Sequence, residues 1–197
     1  MSTVIAIGGP PHSGKSVFVK TLFTQMSGGY PDAVYLTRAC PDGEGNWFYE
    51  AEPELAARLR IKGSYTEEWI ANSLDRIRAL RRTKPLVFVD LGGKLAPDIY
   101  ETLKLCDYIV ILSASPEKSR EWRRAAEDSK CPVLALFHSQ LITTHDDALD
   151  TDARSEIDLN MDPIIGTMVN LDRDTTDVCY IEAVSALANH IAVQHLP

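Results

Sequence analysis

Short apolar runs alternate along the chain with stretches in which apolar residues recur at helical spacing. Five runs are continuously apolar or β-branched, at residues 3–8, 33–37, 86–90, 107–113 and 132–137. Continuous runs of this kind are typical of strands that are covered on both faces, as in a parallel sheet between helices. The alternation predicts an α/β protein: a three-layer α/β/α sandwich around a mainly parallel five-stranded core sheet.

Helices are predicted between and after these strands. Ser64 and Glu67 have capping-box spacing and should open one helix, and Ser115 followed by Pro116 should open another. The remaining predicted elements are a helix over 16–25 that Gly28-Gly29 stops, a short strand over 164–171 and a closing helix marked by apolar residues from 181 to 191.

Bulk composition fits an ordinary globular protein. The chain has 197 residues, of which 45% are hydrophobic and 24% charged, so we expect a single domain over residues 1–197. The sequence contains no apolar run near the roughly 20 residues of a membrane helix and no secretory signal pattern, which predicts a cytoplasmic protein without a membrane partner. The four cysteines are scattered without a C-x-x-C pair, which predicts reduced thiols and no zinc site.

Charge is unevenly distributed along the chain. The net charge of −8 argues against sequence-independent binding to nucleic acid, which needs clustered cations. Residues 58–84 nevertheless carry eight Lys and Arg against three acids, and residues 141–177 carry ten acids against two Arg. These segments are either two solvated faces of opposite sign or include a basic face for a phosphorylated substrate or a partner.

Residues 9–16, GPPHSGKS, match G-x-x-x-x-G-K-[ST] at every fixed position and lie between a predicted strand and a predicted helix. The glycines allow consecutive backbone N–H groups to face an anion, and the helix directs its positive end to the same point. Lys15 is the predicted ligand of the β- and γ-phosphates, and the Ser16 hydroxyl that of Mg²⁺. The predicted nucleotide contacts are Gly9, Pro10, Pro11, His12, Ser13, Gly14, Lys15, Ser16 and Val17.

A phosphate loop of this kind needs a carboxylate at the end of a neighbouring strand. Asp90 ends the apolar run 86–90, so Ser16 and Asp90 are the predicted metal ligands. The D-x-x-G step from Asp90 to Gly93 is similar to that of GTPase switches, so Asp90–Lys94 is either a switch in which the Gly93 N–H senses the γ-phosphate or a tight turn. No N-K-x-D or T-K-x-D motif follows a later strand, which favours ATP over GTP.

The loop after the second strand is rich in turn formers and in side chains that could bind or activate a substrate. Asp42 and Glu44 are candidate general bases for a phosphoryl acceptor, Trp47 is a candidate stacking surface and Arg38 a candidate anion ligand. The alternative is a surface loop with solvated acids.

Three arginines follow the fourth strand. Arg120, Arg123 and Arg124 lie where kinases place arginines that neutralise a transferred phosphoryl group, and Arg120 and Arg124 are one helical turn apart. The alternative is an exposed helix face.

The phosphate loop, the strand that ends in Asp90 and the order of strands over residues 3–140 resemble P-loop NTPases of the kinase-like and MinD/dethiobiotin-synthetase-like branches. That resemblance implies the strand order 2-3-1-4-5. The chain lacks a glutamate directly after Asp90, which argues against a hexameric AAA+ motor. GPPHSGKSVF together with PDGEGNW (41–47) also resembles the ATPase domain associated with CRISPR ring nucleases, which would make the chain a stand-alone relative.

Several functions are compatible with these motifs. The first is an ATPase or phosphotransferase that acts on a small-molecule or nucleotide-like acceptor. The second is a regulatory NTPase whose nucleotide state changes a contact with a partner protein or with a second copy in a homodimer. The third is a binding module with little turnover.

Overall fold

The computed structural model describes residues 2–39, 66–141, 153–171 and 177–196. Seven strands and five helices lie in these ranges. The strands are β1 (Thr3–Gly8), β2 (Val34–Ala39), β3 (Leu86–Leu91), β4 (Tyr108–Ser113), β5 (Val133–Gln140), β6 (Glu156–Asp158) and β7 (Ile164–Val169). The helices are α1 (Lys15–Gly29), α2 (Glu67–Thr83), α3 (Pro97–Leu103), α4 (Pro116–Asp128) and α5 (Val178–His195).

The strands form one sheet in the order β2-β3-β1-β4-β5-β7-β6. The five-stranded core order 2-3-1-4-5 is therefore confirmed, and its four neighbour pairs are parallel. Two strands extend the core beyond β5: β7 pairs with β5 in parallel, and β6 pairs with β7 antiparallel. Because parallel strands end at the same sheet edge, the segments after β1, β3 and β4 meet there.

The sheet divides the core into two layers. Ile5 and Ile7 of β1 pack with Phe18 and Leu22 of α1 and with the apolar face of α5. Val4 and Ala6 point to the other face, where Ile77, Ile99 and Trp122 come from α2, α3 and α4. This alternation within a continuously apolar strand is the expected sign of a sheet covered on both faces.

Two helix ends differ in detail from the prediction. Helix α1 does stop at the predicted Gly28-Gly29 pair, but it includes both glycines rather than ending before them. It ends where the Tyr30 N–H donates to the Met26 carbonyl, and its buried residues outweigh the intrinsic cost of two glycines in the exposed last turn. Helix α2 is capped by Thr66, whose side chain accepts from the Trp69 N–H. The predicted cap, Ser64, lies outside the described residues.

Other boundaries agree with the sequence. Ser115 caps α4 by accepting from the Lys118 N–H, and Pro116 occupies the first turn, as predicted. The sequence did not predict α3 or β6, which have seven and three residues. Among the helices of the described ranges, none has the length and apolarity needed to span a bilayer.

Candidate phosphate-binding site

The GPPHSGKS segment forms the connection between β1 and α1. Gly9 has φ +140° and Gly14 has φ +78°, which are backbone conformations that side chains disfavour. A Cβ placed on Gly9 would overlap the carbonyl oxygen of Leu112 at the end of β4, and one on Gly14 would lie 2.5 Å from Cδ1 of Leu171. Glycine is therefore required at both fixed positions for two reasons: the positive φ angle and the lack of space for a Cβ.

The N-terminus of α1 is prepared for an anion. Gly14 is its N-cap, and within the described residues no side chain caps this end and no acid lies in its first turn. Helices α2 and α4 are different, since each has a side-chain cap and at least one acid in the first turn. The first turn of α1 thus leaves its orphan N–H groups and positive dipole end directed at the loop.

Polar side chains of the loop lie close to this helix end. The Lys15 ammonium donates to the Pro10 carbonyl at 2.8 Å, which holds its charge at the loop. Ser13 is buried, and its hydroxyl has no hydrogen-bond partner in the described part of the chain. Pro11 and His12 are exposed, and His12 has φ +61°.

Asp90 lies on β3, directly beside the strand that leads into the loop. Ile7 of β1 is its partner in the parallel register, and Arg38 of β2 is its partner on the other side. Asp90 is only 3% exposed. Its Oδ2 lies 3.6 Å from Nη2 of Arg38 in an ion pair whose side chains are 4% and 14% exposed.

Gly93 brings the segment after β3 against the phosphate loop. A Cβ placed on Gly93 would lie 2.8 Å from the backbone nitrogen of Pro11 and 3.0 Å from its Cα. The Asp90–Lys94 segment therefore packs directly on the backbone of the phosphate loop.

The donor set fits a magnesium ion in chemical type. Ser16 follows Lys15 in the first turn of α1 and offers a hydroxyl oxygen, and Asp90 offers a buried carboxylate. Hard oxygen ligands of this kind are those that Mg²⁺ prefers. The guanidinium beside Asp90 shows that this carboxylate already attracts a cation.

The remaining predicted site residues are either outside the described residues or on α4. Asp42, Glu44 and Trp47 lie outside the described residues. Arg120, Arg123 and Arg124 are exposed on α4, whereas Trp122 of the same helix is buried and contacts the position of Gly8. At 100° per residue, Arg120 and Arg124 lie about 160° from Trp122 around the helix, on the face turned away from the sheet.

Two contributions were missed in the sequence. Leu171, just after β7, closes over Gly14, and the preceding residue, Asn170, is buried with φ +53°. The pairing of Arg38 with Asp90 was also missed, because Arg38 was interpreted only as an anion ligand. The sequence showed only that Arg38 and Asp90 are polar residues near the ends of strands. Such a pattern does not reveal which residue of the neighbouring strand each one pairs with.

The sheet order, the glycine-dependent loop between β1 and α1, and the buried acid on the adjacent strand together define the P-loop NTPase class of fold. This arrangement fits the MinD-like branch of that class.

Comparisons with solved structures agree with that class. The chain is similar to a plasmid partition protein of Borrelia burgdorferi, with 14% identity and a TM-score of 0.61 over 96% of this chain and 98% of that one. It is also similar to a putative plasmid partition protein of B. burgdorferi B31 bound to AMPPNP, with 15% identity and a TM-score of 0.60 over 98% of both chains. At such identities the likeness shows the fold alone. A scan against models of known protein families gives no match, and a search of curated proteins gives none either.

Proposed function

We propose that this chain binds ATP with Mg²⁺ at residues 9–17 and acts as an ATPase or as a phosphotransferase with a small-molecule or nucleotide-like acceptor. The observation that carries the proposal is the backbone of Gly9 and Gly14, whose positive φ angles form the loop at an α1 N-terminus without a side-chain cap among the described residues. Such an arrangement is suited to phosphate groups.

Adenine is the base that the available observations favour. A solved protein of the same fold was bound to AMPPNP, an ATP analogue. The sequence also lacks the N-K-x-D and T-K-x-D motifs that accompany guanine. Calorimetric titrations of the full chain with AMPPNP and with a GTP analogue, both with Mg²⁺, test this choice, and tighter binding of the GTP analogue would contradict it.

Each residue of the site has a distinct role in this proposal. The loop N–H groups and Lys15 hold the phosphates, and the N–H of Gly93, which packs on the Pro11 backbone, is the proposed contact of the terminal phosphate. Ser16 and Asp90 would hold Mg²⁺, which neutralises the charge that develops on the phosphoryl group. Arg120 and Arg124 receive no role, because they lie on the exposed face of α4.

Asp90→Asn is expected to reduce the contribution of Mg²⁺ to nucleotide binding by about tenfold, because the amide oxygen carries no net charge for the metal. Affinity for AMPPNP in EDTA should change little. Calorimetry with and without Mg²⁺ measures both values, and phosphate release from ATP measures turnover. An unchanged Mg²⁺ contribution would remove Asp90 from the metal site.

A regulatory switch is the second candidate function, and the contact of Gly93 with the phosphate loop favours it. A segment packed on Pro11 would be displaced when the loop accepts or loses a γ-phosphate, so a partner protein or a second copy could detect the nucleotide state. Light scattering with AMPPNP and with ADP tests this function, since the same mass in both states would argue against a homodimer switch.

Gly93→Ala is expected to destabilise the protein by about 1–3 kcal/mol, because its methyl group would press on the Pro11 backbone. Nucleotide affinity should also fall, since the loop must shift to make room. Thermal unfolding and calorimetry measure these effects. Gly29→Ala is the matched control: a Cβ there meets no described atom within 4 Å, so any general effect of adding a methyl group would appear there too.

In this proposal, residues 1–197 act as one nucleotide-binding domain. The acceptor chemistry of Asp42 and Glu44 stays a prediction, since both lie outside the described residues. The CRISPR-associated role stays a prediction for the same reason, because its second motif is residues 41–47.

A further inference from the structure

Asp90 already has a cationic partner in the chain. Arg38 and Asp90 occupy the same register position on adjacent parallel strands, so their side chains leave the sheet on the same face. The guanidinium Nη2 lies 3.6 Å from the carboxylate Oδ2, and both side chains are largely shielded from water. An ion pair in such a position is screened less than a surface pair.

The position of Arg38 is fixed from helix α2. Its carbonyl oxygen accepts a hydrogen bond of 2.9 Å from Nη2 of Arg76, and Oγ of Ser73 lies 3.5 Å from the same oxygen. Both donors are on α2, which packs on β2 and β3. The backbone that carries the guanidinium is therefore held in place.

The guanidinium is only partly satisfied where it lies. Its Nη1 is buried and has no hydrogen-bond partner in the described ranges. A buried guanidinium with an unpaired donor pays a desolvation cost that its ion pair offsets only in part. The ion pair between Arg38 and Asp90 can therefore give way to another interaction of the guanidinium.

We propose that Arg38 is the resident counter-ion of Asp90 and that Mg²⁺ must displace its guanidinium to reach this carboxylate. The inference rests on the proposed function, because it assigns the metal to Asp90. Two cations beside one buried carboxylate repel each other at short range, where the local dielectric is low. Arg38 therefore raises the Mg²⁺ concentration at which the nucleotide complex forms, and metal binding releases a guanidinium that can then pair with phosphate.

The test is the Mg²⁺ dependence of ADP binding to the full chain, measured by calorimetry from micromolar to millimolar Mg²⁺. Arg38→Gln should lower the Mg²⁺ concentration for half-maximal effect by about tenfold, the lower range of coupling between close charges. Arg38→Lys keeps the charge and should stay near the wild type. Arg78→Gln is the matched control, since this arginine of α2 pairs with the exposed Asp75.

The outcomes separate this inference from the proposed function. If the wild type does not bind ADP at any Mg²⁺ concentration, the proposed function fails. If it binds ADP but Arg38→Gln leaves the Mg²⁺ midpoint unchanged or raises it, only the displacement is overturned.

A measurement on the wild type covers the case in which Arg38→Gln does not fold. The side-chain Nε–H resonance of Arg38, assigned by its loss in Arg38→Lys, should shift when Mg²⁺ is added to the ADP complex. A resonance that stays in place on addition of Mg²⁺ would show that the ion pair persists and would overturn the proposal.

Discussion

Lys15→Ala is expected to weaken binding of AMPPNP and ADP by about 100-fold while the fold stays intact. The ammonium is the one cation of the GPPHSGKS loop, and it lies at the loop through its 2.8 Å bond to the Pro10 carbonyl. A hydrogen bond to a charged group contributes about 1.5–3 kcal/mol, and phosphates carry several charges, so a loss near the upper end is expected. Calorimetry with Mg²⁺ measures the change.

The matched control is Lys20→Ala, which removes an exposed lysine of the same helix. This variant loses the same charge from the chain, so an effect of net charge alone would appear in both. Thermal unfolding without nucleotide should change by less than about 2 °C in either variant. Equal affinities of Lys15→Ala and the wild type would remove the phosphate loop from the proposed function.

The phosphate loop could be predicted from sequence because its chemistry is local. Gly9, Gly14 and Lys15 are needed at fixed spacing by the backbone geometry itself, and the apolar run before them indicated the strand. The order 2-3-1-4-5 followed from the resemblance, and Asp90 accordingly lies beside β1. These features depend on segments of fewer than ten residues or on a family pattern.

Features that depend on register or on the packing of distant segments could not be predicted. The pairing of Arg38 with Asp90 depends on the register of β2 against β3. The contact of Gly93 with Pro11 depends on how the loops after β3 and β1 lie relative to each other. Strand β6 has three residues, too few for a period to emerge, and is formed by pairing with β7. Tertiary partners decide such elements.

The glycines of the chain illustrate the same limit. Gly28 and Gly29 were predicted to stop α1 because glycine has low helix propensity, and the helix does end at Gly29, with both glycines in its last turn. Gly9 was predicted as a fixed glycine of the phosphate loop, but the sequence did not indicate that a Cβ there would also overlap the Leu112 carbonyl oxygen. Residue type alone does not distinguish a glycine that the backbone requires from one that it tolerates.

Gly9→Ala is expected to destabilise the protein by about 3–5 kcal/mol. A backbone at φ +140° is nearly closed to residues with a Cβ, which costs about 1–3 kcal/mol. The added methyl group would also overlap the Leu112 carbonyl, and both it and the loop are backbone atoms that cannot rotate away. Overpacking of this kind adds about 1–3 kcal/mol. Urea unfolding measures the loss in free energy of unfolding. In thermal unfolding, the melting temperature should fall by about 10 °C.

Gly28→Ala is the control that separates this effect from a general response to alanine. Gly28 lies in the last turns of α1, and a Cβ there meets no described atom within 4 Å. The substitution should stabilise the protein by about 0.5–1 kcal/mol, because alanine loses less backbone entropy in a helix. If Gly9→Ala were as stable as the wild type, the backbone at Gly9 would not have the positive φ that brings the loop N–H groups toward a phosphate, and the basis of the proposed site would be lost.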